Sequence, residues 1–224
     1  MSGRLVMARL WLEFAGLYMV LPAVLMAARL AGCVVPVLPL LWAAAFPASL
    51  YLVKCRGWRA RELVGGMPGR RQFAGMAMRF VAAAFVLSAG ILLIEPRGFM
   101  LLPRSDPRLW ALVMFFYPAL SVVPQGILYR ALFHARYAAL FRGEKSRKLA
   151  AAAAFGLAHL VFANAWAVAL TLAGGLFIDR TYRKSGSMLA ANIEHAVYGQ
   201  LAFTTGWGLF LYHGTIRLIE GAGA

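Results

Sequence analysis

The sequence predicts an all-α fold, a polytopic integral membrane bundle of about eight transmembrane helices. The first observation behind this is composition. The chain is 62% hydrophobic, has a mean hydropathy of +0.71 and carries only 14% charged residues. A water-soluble domain of 224 residues does not carry that much apolar sequence. The second is spacing: apolar runs near the length needed to cross ~30 Å of hydrocarbon recur along nearly the whole chain. Lipid offers backbone groups no partners, so each run is read as a helix that satisfies its own N–H and C=O groups. Residues 1–224 therefore read as a single integral membrane domain, with little chain left over for a soluble one.

Taken in order, the predicted spans fall at about 8–28, 33–53, 79–95, 109–133, 149–163, 165–181, 187–205 and 207–219. The segment Met1 to Cys33, which holds the first, ends in Leu30-Ala31-Gly32-Cys33, which resembles a lipoprotein cleavage box. Arg29 interrupts the apolar run just before that box and a second run follows at once, so the segment is read as a span. Cys33 and Cys55 lie on opposite sides of the second span; no disulfide is expected, and neither has a metal-ligand partner at short spacing. Between Lys54 and Gln72, Gly57, Gly65, Gly66, Met67, Pro68 and Gly69 alternate with charges, which predicts a short amphipathic excursion on the inner leaflet. The fifth and sixth spans are short and closely joined, so a helical hairpin is the alternative to two full crossings. Capping or turn formation accounts for Asn164 between them. Gly174-Gly175 reads as a site of close helix packing.

The formal net charge is +15. The basic residues lie between apolar runs without accompanying aromatic stacking positions, the pattern of topology-setting loops and not of a nucleic-acid binder. With the N-terminus inside, eighteen Lys and Arg residues fall on the cytoplasmic face and four outside, Arg130 lying within a span. This asymmetry predicts both termini in the cytoplasm. The partners expected from composition are membrane lipids, and no nucleic acid.

Three ionisable residues sit inside apolar stretches: Arg130, His159 and His195. Such groups are costly at bilayer depth, face the bundle interior and mark functional sites. A lone intramembrane histidine is often only an interhelical hydrogen-bond donor. Two at overlapping depth, with Arg130 and Gln125 near the inner end of the fourth span, favour one cavity opening to the cytoplasm. Glu194 is the intramembrane acid that could pair with Arg130, although it lies about 100° around the helix from His195. Asn192 shares the His195 face. His134 and His213, near span ends, read as interfacial.

The pattern of these residues resembles the CPBP intramembrane proteases, the group of CAAX-processing and bacteriocin-processing (Abi) enzymes. Their motifs are Glu-Glu-x-x-x-Arg, Phe-x-x-x-His and His-x-x-x-Asn on successive helices. Gln125-Gly126-Ile127-Leu128-Tyr129-Arg130 matches the first in position and in its arginine, Phe155-Gly156-Leu157-Ala158-His159 matches the second fully, and His195-Ala196-Val197-Tyr198-Gly199 keeps only the histidine of the third. The resemblance covers about 109–205, a peptidase-like core. It implies a membrane-anchored protein or peptide substrate, His159 as water-activating base, His195 as oxyanion donor, Gln125 as water positioner, and Arg130 fixing the inner helix end or the substrate. It also implies a bacterial cytoplasmic membrane.

The departures are chemical. Gln125 and Gly126 replace both glutamates and Gly199 replaces the asparagine. A carboxamide is no useful base, so His159 acting alone would lose at least ~10²-fold in rate. Three explanations stand: a pseudoenzyme that binds without cutting, a relocated acid for which Glu194 is the local candidate, or Gly126 as a one-base variant of glutamate. No cofactor is expected; two histidines without a neighbouring carboxylate make an incomplete divalent-metal site. Beside the peptidase reading stand a non-catalytic binding, immunity or sorting factor and, last, a small transporter, for which inverted repeats are not evident.

Overall fold

A computed structural model describes residues 3–59 and 65–211. It is all-helical. The helices are α1 (Gly3–Leu30), α2 (Val37–Arg56), α3 (Arg70–Ile94), the short α4 (Leu101–Ser105), α5 (Pro107–Leu140), α6 (Glu144–Ala158), α7 (Ala165–Ser185), α8 (Met188–Thr205) and α9 (Gly208–Leu211). Four of them, α1, α2, α3 and α5, are long and apolar enough to cross a membrane. Among the described residues, four of the expected eight crossings thus have a helix of that length and apolarity. His213 and most of the last predicted span, like residues 60–64 of the inner excursion, lie outside the described residues.

Helix ends follow their sequence punctuation. Asp106 caps α5 by accepting the Leu109 N–H at 2.9 Å, with Pro107 in the first turn. Asn164 caps α7 through the Ala167 N–H at 2.8 Å, the role expected of it. Between α7 and α8, Gly186 takes a left-handed φ of 63° and Ser187 caps α8 at the Ala190 N–H (3.1 Å). The Ser187 hydroxyl also donates to the Gly66 carbonyl at 2.5 Å, docking the end of the glycine-rich loop on this turn.

α5 is the axial element, and its prolines explain how its neighbours are held. Pro118 and Pro124 lack N–H donors, so the carbonyls four residues earlier, Met114 and Leu120, lose their helical partners. Side chains from other helices take them. Gln200 of α8 donates to the Met114 carbonyl at 2.8 Å, and Trp42 of α2 donates to the Leu120 carbonyl at 2.9 Å. The same helix widens to π-type turns over Pro118–Val122 and Ile127–Tyr137; such turns are frequent where a helix carries function.

The main core packs α1, α2, α5 and α6 around Phe14, Tyr18, Phe133 and Tyr137. Tyr18 is fully buried, and its hydroxyl donates to the Leu128 carbonyl at 2.8 Å, as a phenol away from water must. At one end of this core Arg136 of α5 binds Glu13 of α1 (Nε–Oε2 2.8 Å) and the Tyr51 hydroxyl of α2 (2.8 Å). Another ionic string joins α5, α7 and α6. His134 meets Asp179 at 2.7 Å, Arg183 bonds the other Asp179 oxygen at 2.8 Å, and Arg183 reaches Glu144 at 2.7 Å. His134 is thus the partner of a fully buried carboxylate. The Arg183 guanidinium holds the exposed Glu144 carboxyl below the usual carboxylate range. Both cysteines are free and exposed, as their separation required.

Replacing Gln200 with leucine leaves the Met114 carbonyl without a donor, at a cost of about 1–3 kcal/mol. The expected outcome is a lower Tm in detergent, with helical content at low temperature unchanged.

Candidate functional site

A cavity of about 980 Å³ lies between α1, α2 and α3 on one side and α5 to α8 on the other. Leucine, valine, alanine and phenylalanine side chains make most of its wall. His159, His195, Gln125, Ser121, Tyr117 and Arg79 supply polar groups. The two histidines and Gln125, spread over three helices, therefore face one space as the sequence predicts. Arg130 and Gly126 are not on the wall; both are buried behind it. Among the described residues that line the cavity there is no aspartate or glutamate.

Phe155 organises the polar groups. Its ring centroid lies 5.0 Å from that of His159 and 5.1 Å from that of His195, and the Arg130 guanidinium sits 4.8 Å over its face. The ring fits because α7 presents Gly175 to α6: a Cβ there would come within 3.1 Å of Phe155 and 3.3 Å of the Ala152 Cα. Gly175 is a close-packing glycine as expected. Gly174 is not, since its Cβ direction is open and it lines the cavity.

His159 ends α6. Its Nδ1 lies 2.8 Å from the Phe155 carbonyl. A carbonyl only accepts, so Nδ1 carries the hydrogen and Nε2 keeps its lone pair. His195, 7% exposed, meets the Tyr117 hydroxyl through Nε2 at 3.2 Å. Gln125 donates to the Ser121 hydroxyl at 2.8 Å, one turn back on α5.

Arg130 is 2% exposed; Nη1 donates to the Tyr129 carbonyl at 2.8 Å, while Nε and Nη2 have no partner. The carboxylate that compensates it is Asp179, through electrostatic attraction without a hydrogen bond. Glu194, the acid expected from the sequence, is committed elsewhere. Its Oε1 accepts from Arg79 Nε at 2.7 Å and from the Tyr198 hydroxyl at 2.9 Å. Arg79 also donates to Thr181 at 2.9 Å. Arg79, at the start of the predicted third span, is the kind of basic residue that ordinarily marks a cytoplasmic span end. It lies within α3 and turns inward to the fully buried Glu194, which requires a cation.

The two motif glycines are sterically specific. A Cβ at Gly126 would lie 2.2 Å from the Asn192 Oδ1, so the Asn192 carboxamide of α8 occupies the space of a residue-126 side chain. A Cβ at Gly199 would lie 2.3 Å from the Tyr117 ring and hydroxyl. Neither Tyr117 nor the Asn192 contact is evident from motif spacing. The available signal is the glycines themselves, since close packing fills a missing side chain with something else. Among the described residues, no group of three His, Cys, Asp or Glu side chains could hold a metal ion.

Residues 107–201 match the family model described as type II CAAX prenyl endopeptidase Rce1-like. This segment is similar to that family. It spans α5 to most of α8 and contains every motif residue named above, although it is under half of the 224-residue chain. No curated protein and no solved structure matches the chain.

Gly126→Glu is expected to force the Asn192 side chain out of its seat and cost about 1–3 kcal/mol through overpacking. Thermal unfolding in detergent reads this as a lower Tm, recovered in the Gly126→Glu/Asn192→Ala double variant. A Gly126→Glu protein with unchanged Tm would show that the seat was free.

Proposed function

We propose that this protein uses its Rce1-like cavity to bind a membrane-anchored peptide or protein C-terminal segment, without the carboxylate-driven hydrolysis that the family's paired glutamates imply. The single observation that carries this is a cavity of about 980 Å³ whose described lining holds two imidazoles and a carboxamide but no carboxylate. General-base activation of water needs a group that takes a proton within hydrogen-bond reach. Gln125 cannot take one, and Glu194, buried beside Arg79 and Tyr198, does not line the cavity. Cavities of this size and apolar character suit largely apolar ligands oriented by a few polar contacts. The family description names prenyl endopeptidases, so the ligand class follows as a lipid-modified or strongly apolar chain end. The site serves an integral membrane protein with basic loops toward the cytoplasm, from which side the ligand would enter.

A second reading, slow histidine-based hydrolysis, is favoured by one specific feature. His159 holds its Nδ1 hydrogen on the backbone, which leaves Nε2 as a base.

A fluorescent, prenylated C-terminal peptide added to the protein in nanodiscs separates these readings. Saturable binding without fragment release is expected. Gly174→Phe, which fills the cavity, weakens binding by about tenfold or more, equivalent to ~1.4 kcal/mol. Absence of binding to the unmodified protein would overturn the proposal. Fragment release that disappears in His159→Ala would establish the second reading in its place.

A further inference from the structure

Tyr117 is fixed opposite His195 by two independent features of the packing. Its hydroxyl lies 3.2 Å from His195 Nε2, and its ring occupies the space that any side chain at position 199 would need. Phe203, on the same helix as His195, packs edge-on against that ring with centroids 5.6 Å apart. Both Tyr117 and His195 line the cavity.

We propose that Tyr117 is the positioning residue for His195, and that the pair presents one hydrogen-bond donor to an amide or ester carbonyl of the ligand in the cavity. This rests on the binding reading above and specifies the polar contact within it. The argument is a count of hydrogens. A phenol carries one O–H, and a neutral imidazole carries one N–H. The two groups share a single hydrogen bond, and neither has another hydrogen-bond partner among the described residues. Whichever group donates within the pair, one hydrogen stays unspent. An unspent donor in an apolar wall costs free energy until an acceptor arrives. A carbonyl oxygen is the acceptor that a peptide or ester ligand brings, and it needs no counter-charge. Gly199 is what permits the arrangement, because a Cβ there would lie 2.3 Å from the Tyr117 ring and displace the phenol.

The test uses full-length protein with ¹⁵N-labelled histidine in nanodiscs, the His195 resonances being identified by their loss in His195→Gln. Tyr117→Phe keeps the ring and removes the hydroxyl. The expected result is a shift of the His195 Nε2 resonance toward that of an imidazole nitrogen without a hydrogen bond, with little change in Tm. Gly199→Ala, which pushes the phenol away, is expected to give the same shift. Because Tyr117→Phe leaves the imidazole its own N–H, the donor role is read in the Tyr117→Phe/His195→Phe double variant, which carries neither hydrogen and is expected to bind the prenylated peptide about tenfold more weakly, the size of one lost hydrogen bond. An unmoved His195 resonance in Tyr117→Phe overturns the positioning role, whatever the peptide does. Unchanged peptide affinity in the double variant overturns the donor role. If the unmodified protein binds no peptide at all, the binding reading falls, and the donor role falls with it.

Discussion

One aromatic ring holds the interior of this protein together. Phe155 touches the Arg130 guanidinium, both cavity histidines and the Tyr129 ring, and Gly175 makes room for it. A cation buried away from water needs compensation on several sides. Arg130 finds it in the π-face of Phe155, the Tyr129 carbonyl and the field of Asp179. The same ring keeps the two imidazoles apart while both face one cavity. Loss of Phe155 would therefore disturb charge compensation and site geometry together.

Much of this arrangement is legible in the sequence because the bilayer makes polar residues conspicuous. His159, His195 and Gln125 stand out in apolar runs, and they line one cavity. Asn164 is readable as a cap because its consequences are local. Partners in an ion pair are less legible. Glu194 appears available to Arg130, yet Arg79, more than a hundred residues away in sequence, takes it. Arg79 is hidden by its position near the start of an apolar run, where a positive charge ordinarily reads as a topology signal. Asp179 is hidden likewise, in a run rich in basic residues at the end of α7.

Tyr117, and the contact that Asn192 makes at Gly126, are illegible for a different reason. Each fills a void created by a glycine on another helix, and the sequence shows the glycine without showing what enters the space. The motif departures are thus not empty positions. Gly126 and Gly199 are each matched by a larger neighbour, so the site has a well-packed form of its own, consistent with interiors that do not tolerate gaps. Restoring one motif residue alone meets a clash before it meets any chemistry.

The proline-freed carbonyls of α5 have a mechanical consequence. Met114 and Leu120 are tethered to side chains on two different helices, α8 and α2. Sliding α5 by one turn would strand both oxygens in a medium that offers no replacement donors. The register of Gln125 against His195 is therefore pinned at two points outside the cavity, and rotation of side chains is left as the inexpensive way for the chamber to adjust to an occupant.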